Sequence, residues 1–192
     1  MIKNFIFDLD GTLIDSSQDI IDCIKGAYAF WKYQGIINID KSVIGLPIRE
    51  IVWKITPKLG IPMASSIEMK YRELYDNSSY PNTTLCKGVD MIRSLLERSY
   101  LLTNKPKRAT NRILRKFQLG FKEVACIDSY PIEHPSKEKV LQYLMKEYQL
   151  NPDETVLIGD TQSDIDAATK NNIQCFLVYA KRSLLSILDQ LT

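Results

Sequence analysis

The order of apolar and polar segments in this 192-residue chain predicts an α/β protein: a parallel sheet with helices on both faces, plus a small α-helical insertion. Three observations predict it. Five short apolar runs each stop abruptly at polar residues, segments of helical period separate the later runs, and residues 15–85 offer helices without a convincing strand.

The first run, Ile2 to Phe7, ends at Asp8-Leu9-Asp10-Gly11-Thr12, the pattern of a buried parallel strand followed by a tight turn. The second, Tyr100-Leu101-Leu102, ends at Thr103-Asn104-Lys105-Pro106, and the third, Val124 to Ile127, ends at Asp128-Ser129. Thr155 to Ile158 ends at Gly159-Asp160-Thr161, and Gln174 to Val178 is the fifth run. Between them the periodicity predicts helices over Val89–Arg98, Ala109–Phe117, Lys137–Tyr148 and Asp164–Lys170. Strands alternating with helices, without hairpin signals, describe a doubly wound, Rossmann-like sheet whose ligands sit beyond the carboxyl ends of its strands. The polar clusters after the first, second and fourth runs fall there.

Residues 15–85 break the rhythm, with helical stretches at Ser17–Tyr33, Pro47–Leu59 and Ser66–Tyr75 punctuated by Pro57, Pro62 and Pro81. The division expected is therefore a core of residues 1–14 and 86–192 and a helical cap of residues 15–85. Tyr28, Phe30, Trp31 and Trp53 are read as packing between cap helices.

Composition narrows the function. A hydrophobic fraction of 45%, a charged fraction of 25% and a net charge of +2 describe an ordinary globular chain with no electrostatic call for nucleic acid. The N-terminal apolar stretch, broken by Lys3 and Asn4 and ended by Asp8, is too short for a signal sequence or a membrane span, so a soluble, cytoplasmic protein is expected. Cys23, Cys86, Cys126 and Cys175 lack zinc or redox spacing and read as reduced structural thiols. A single His134 rules out a two-histidine metal site and leaves chemistry to carboxylates, lysines and hydroxyls.

Asp8 and Asp10 stand two apart, so a strand persisting through both would point them to one side. Two carboxylates so close need a neutralising cation or a proton, and a hard, oxygen-seeking ion such as Mg²⁺ suits ligands without sulfur or imidazole. Asp160 and Asp164 could add oxygens, although alone they could simply cap a helix. A carboxylate can also act as a nucleophile toward phosphorus, and Asp8 could do so, with Thr103, the turn amides of Leu9 and Asp10, and a lysine stabilising the transferring oxygens.

Together these residues resemble the four ordered motifs of haloacid dehalogenase-type phosphatases: Asp8-Leu9-Asp10-Gly11-Thr12, Thr103-Asn104-Lys105-Pro106, the lysine of Pro135-Ser136-Lys137-Glu138, and Gly159-Asp160-Thr161-Gln162-Ser163-Asp164. The position of the helical insertion is similar to that in the subgroup containing phosphoglycolate phosphatases and β-phosphoglucomutases. The resemblance implies a haloacid dehalogenase-like core, Asp8 as nucleophile and Asp10 as general acid/base. Thr103 would bind the transferring phosphoryl group with Asn104 beside it, and Lys137, or Lys139 in its place, would balance charge. Mg²⁺ would be bound by Asp8, the Asp10 carbonyl and Asp160, with Asp164 acting through water or by orienting neighbours. Gly45 to Glu50 looks like a substrate-facing cap segment, which makes Arg49 the candidate for reading the substrate's remote end.

The implied activity is Mg²⁺-dependent hydrolysis of a small phosphate monoester, a phosphoglycolate-like acid or a sugar phosphate, by a monomer or homodimer. A phosphomutase of the β-phosphoglucomutase type and a non-catalytic binding or regulatory protein are the alternatives.

Overall fold

The computed structural model describes residues 1–40, 44–179 and 183–191. By internal contacts the chain forms two compact units, Met1–Asp15 with Leu85–Thr192, and Ser16–Thr84.

The first unit opens with β1 (Asn4–Phe7), whose Phe5, Ile6 and Phe7 are all buried, so this strand carries apolar residues on both faces. A short strand β2 (Ile14–Asp15) follows. The chain returns to this unit at β3 (Thr84–Leu85), and the Cys86 N–H donates to the Leu13 carbonyl at 2.9 Å. The sheet is then built by β4 (Tyr100–Thr103), β5 (Glu123–Cys126), β6 (Thr155–Gly159) and β7 (Gln174–Leu177). Its order is β5-β4-β1-β6-β7 and every pairing is parallel, with Phe7 opposite both Leu101 and Ile158. This order places β1 at the centre and carries the ends of β1, β4 and β6 to one edge.

The helical unit contains α1 (Ser17–Phe30), α2 (Ile48–Ile55) and α3 (Ile61–Asn77). Ile20, Ile24, Val52 and Ile67 fill its interior, and the Tyr28 hydroxyl meets Thr56 Oγ1 at 2.8 Å. In the first unit α4 (Arg93–Leu96) continues a 3-10 turn at Val89–Ile92, and α5 (Lys107–Phe117), α6 (Lys137–Glu147), α7 (Gln162–Lys170) and α8 (Leu184–Leu191) follow. Val140, Leu141 and Leu144 of α6 and Ala167 and Ala168 of α7 pack with Ile6, Leu102 and Leu157 from the sheet. Removing this apolar surface from water is the main force that seats helices on strands.

Some sequence expectations shift. Helix α3 starts five residues before Ser66 because Pro62 lies in its first turn, where a missing N–H costs nothing. Phe30 and Trp31 are 56% and 41% exposed; they meet edge to face, and Lys70 lies over the Phe30 ring. Of the four aromatics expected between helices, Tyr28 is fully buried and Trp53 half-buried. Among the described residues no helix is long and apolar enough to cross a membrane.

Candidate active site

The strand end comes first. The Asp8 N–H donates to the Ile158 carbonyl at 2.8 Å, so ladder bonding reaches Asp8, but the strand stops at Phe7. The chain then turns: Leu13 and Ile14 N–H groups both donate to the Leu9 carbonyl, and the Gly11 N–H donates to that of Ile14. Gly11 has φ +80°, and a Cβ there would collide with the Asp160 carboxylate, so this turn requires glycine twice over. Asp8 and Asp10 are thus separated by a turn rather than by strand alternation. Leu9 between them is fully buried, whereas Asp10 is half-buried.

Helix α6 supplies the cation. Its N-cap Ser136 accepts from the Lys139 N–H, and Lys137 is the first helical residue. Lys137 Nζ lies 2.6 Å from Asp8 Oδ1 and 2.5 Å from Asp164 Oδ1, and all three side chains are buried. Lys139 turns elsewhere, donating to the carbonyls of Glu133 and His134 at 3.1 Å. His134 is an exposed loop residue with φ +52°.

Strand β6 and helix α7 supply the remaining acids. Asp164 Oδ2 accepts from the N–H of Asp160 at 3.2 Å and from the N–H and hydroxyl of Thr161 at 3.0 and 2.8 Å, which ties the strand end to the first turn of α7. Its other oxygen faces Lys137. Gly159 has no room for a Cβ against the Asp164 carboxylate. Thr12 Oγ1 donates to Asp160 Oδ1 at 3.4 Å.

From β4, the register that sets Phe7 opposite Leu101 carries Thr103 to the same edge as Asp8. Thr103 Oγ1 accepts from the Lys105 N–H at 3.1 Å, and Asn104 lies half-buried on the same turn. Lys105 was not singled out by sequence reasoning, yet its Nζ sits 3.1 Å from Asp10 Oδ2 with 5% of its side chain exposed. The only sequence signal for it was its place in the turn after Thr103. Arg49 lies in the helical unit, 68% exposed at its side chain and 3.8 Å from Glu68.

Electrostatics follow from this crowding. Burial, with Asp164 and Asp10 adding repulsion, raises the Asp8 carboxyl well above its ordinary range despite Lys137. Burial and the Asp164 charge push Asp160 up to about 6. Burial acts on Asp164 too, but Lys137 and the Thr161 hydrogen bonds outweigh it and hold that carboxyl low. Lys137 is itself driven up, its burial outweighed by Asp8 and Asp164. The Cys86 thiol, raised to about 11 by burial and then by Asp15, Asp160 and Asp10, stays protonated.

One oxygen from each of Asp8, Asp160 and Asp164 lies within 4.8 Å of the others. Ionised together, three carboxylates against one lysine would leave negative charge uncompensated at a low-dielectric edge, and the donors are all hard oxygens. This set fits a hard divalent cation. The Asp10 carboxylate stands outside that group and pairs with Lys105.

Comparison with known proteins agrees with this arrangement. A family model described as haloacid dehalogenase-like hydrolase matches residues 5–178. A phosphoglycolate phosphatase of Psychrobacter arcticus is 30% identical over 185 residues, covering 88% of this chain and 79% of that one. A phosphoglycolate phosphatase of Vibrio vulnificus is 25% identical over 181 residues, covering 87% and 79%. In fold, a haloacid dehalogenase-like family hydrolase from Streptococcus pneumoniae superposes with a TM-score of 0.79 at 22% identity, covering 98% of this chain and 90% of that one. With the family model matched across the sheet and all four site segments, the chain belongs to the haloacid dehalogenase-like hydrolases, on their phosphatase branch.

Proposed function

We propose that this protein hydrolyses a small phosphate monoester by forming and then breaking an aspartyl-phosphate on Asp8. The observation that carries this reading is the buried Asp8 carboxylate at the sheet edge, held 2.6 Å from Lys137 Nζ, with a second carboxylate two residues on that is held by a different lysine.

Asp8 attacks phosphorus as the bond to the leaving oxygen breaks, and Asp10, holding a proton, delivers it to that oxygen. In the second half Asp10 takes a proton from the attacking water, and phosphate leaves as the Asp8 carboxylate is restored. Lys137 stays protonated and balances charge between nucleophile and phosphoryl oxygens. Thr103, Asn104 and the turn N–H groups donate to those oxygens, because phosphoryl transfer depends mainly on positioning and electrostatics. Mg²⁺ would be held by Asp8, Asp160 and the Asp10 carbonyl, with Asp164 binding through water or orienting its neighbours. When bound it supplies positive charge to the phosphoryl oxygens.

The Ser16–Thr84 unit is read as a cap that sets substrate choice, and Arg49 as its contact to a carboxylate or second phosphate. The names of the curated relatives, phosphoglycolate phosphatases, favour a small phosphorylated acid as substrate. The test is phosphate release from a panel of phosphorylated acids and sugars, with Mg²⁺ or with chelator, for wild type and Asp8→Asn. Metal-dependent release lost in the variant supports the reading; an isomerised sugar phosphate without released phosphate would replace hydrolysis by a mutase.

A further inference from the structure

The chemistry above uses one buried lysine, Lys137, but the same unit buries a second. Lys105 is 7% exposed as a residue, and its ammonium lies 3.1 Å from Asp10 Oδ2. Its backbone is fixed on both sides: the N–H donates to Thr103 Oγ1 at 3.1 Å, and the carbonyl accepts from Thr110 Oγ1 of α5 at 3.5 Å. The lysine therefore projects from a rigid turn rather than from a loose loop.

Stability alone does not explain it. Burying an ammonium costs several kcal/mol before its partner offsets any of it, at about break-even for the pair. Lys105 also stands just before the N-terminus of α5, the end of a helix at which positive charge is disfavoured. Lys107, two residues on, meets the same field and is exposed to solvent. A lysine kept inside at this place has a reason in its partner.

That partner is the carboxylate that stands apart from the Asp8, Asp160 and Asp164 group. We propose that Lys105 is a positioning residue for Asp10: its ammonium, donating to one Asp10 carboxyl oxygen, fixes the side chain where the other oxygen can pass a proton to the leaving group and take one from water, and keeps it out of the acidic cluster. This inference rests on the assignment of Asp10 as general acid/base in the proposed hydrolysis.

The test is a double-mutant cycle on kcat and KM with an alkyl phosphate monoester and saturating Mg²⁺, using Lys105→Met, Asp10→Asn and both together. Misplacing a proton-transfer group by about 1 Å costs on the order of 100-fold, so Lys105→Met is expected to lower kcat about 10- to 100-fold with KM changed less than about 3-fold. Lys105→Arg, which keeps the charge, restores most of it. In the Asp10→Asn background Lys105→Met produces no further loss, because there is no acid left to position. A loss of about 10-fold or more on top of Asp10→Asn, or full activity in Lys105→Met, overturns the inference. If Lys105→Met alone fails to fold, the double variant, which lacks both charges, still answers by comparison with Asp10→Asn. Asp8→Asn is run alongside: turnover surviving there would defeat the hydrolytic reading itself, whereas a dead Asp8→Asn with additive Lys105 and Asp10 losses defeats only the role given to Lys105.

Discussion

Lys137 and Asp8 meet as a buried ion pair, 2.6 Å between Nζ and Oδ1, although 129 positions separate them in sequence. The same ammonium reaches Asp164, so one side chain from the start of α6 joins the central strand to the strand-helix turn after β6. Lys137→Met would leave two buried carboxylates without their cation, and removing one partner of a buried pair costs about 3–5 kcal/mol. Urea unfolding should show that loss, and it should be larger at about pH 8 than at about pH 5, where protonation of the carboxyls relieves the repulsion.

Metal affinity is expected to depend on Asp160. Its carboxyl is raised from 3.8 to about 6, so between those values the folded metal-free protein holds a proton that the unfolded chain has lost. For this group the contribution to stability is full below 3.8 and is lost as pH rises through about 6. A cation needs the ionised form, so Mg²⁺ binding should release protons and weaken as pH falls through about 6. Calorimetric titrations in buffers of different ionisation enthalpy measure both effects; an affinity flat from about pH 5 to 7 would contradict this linkage.

The turn after Asp8 tolerates only glycine at position 11. Gly11→Ala places a Cβ at φ +80° and against the Asp160 carboxylate. The backbone strain alone is about 1–2 kcal/mol, and the displaced carboxylate adds a loss of metal binding. Thermal melts with and without Mg²⁺ separate the two effects: the variant should melt lower and gain less from the ion than wild type.

In the helical unit, Asp19 is 3% exposed and accepts from the Asn82 N–H at 3.1 Å, from Asn82 Nδ2 at 3.1 Å and from the Thr83 hydroxyl at 2.5 Å. This carboxylate fastens the first turn of α1 to the segment by which the chain leaves the unit. Asp19→Ala strands those donors at about 1–3 kcal/mol for each one left buried and unsatisfied. Hydrogen exchange should accelerate at Asn82 and Thr83 while β1 and β6 keep their protection.

The sheet was legible because each buried strand is an apolar run closed by a polar cluster, as Phe5-Ile6-Phe7 before Asp8 and Val156-Leu157-Ile158 before Gly159-Asp160 show. The two-residue strands β2 and β3 were not, since two residues carry no periodicity. Helix α8 lies beyond the last polar cluster and was not read from its apolar run. Motif order singled out Asp8, Asp10, Thr103, Lys137, Asp160 and Asp164 as candidates, and the fold brings Asp8, Lys137, Asp160 and Asp164 together. Motif order could not distinguish Lys137 from Lys139, because only the fold shows one ammonium reaching Asp8 and the other reaching loop carbonyls. Lys105 escaped for the same reason: its pairing with Asp10 exists only once β4 lies beside β1.

The most direct measurement is to mix the enzyme and Mg²⁺ with a monoester carrying a radiolabelled phosphoryl group, quench in acid within one turnover, and locate the label. The label should be found on the peptide bearing Asp8 and be absent in Asp8→Asn, which should also release no phosphate. Wild-type turnover with no labelled protein at any quench time, or phosphate release that survives in Asp8→Asn, would contradict an aspartyl-phosphate on Asp8.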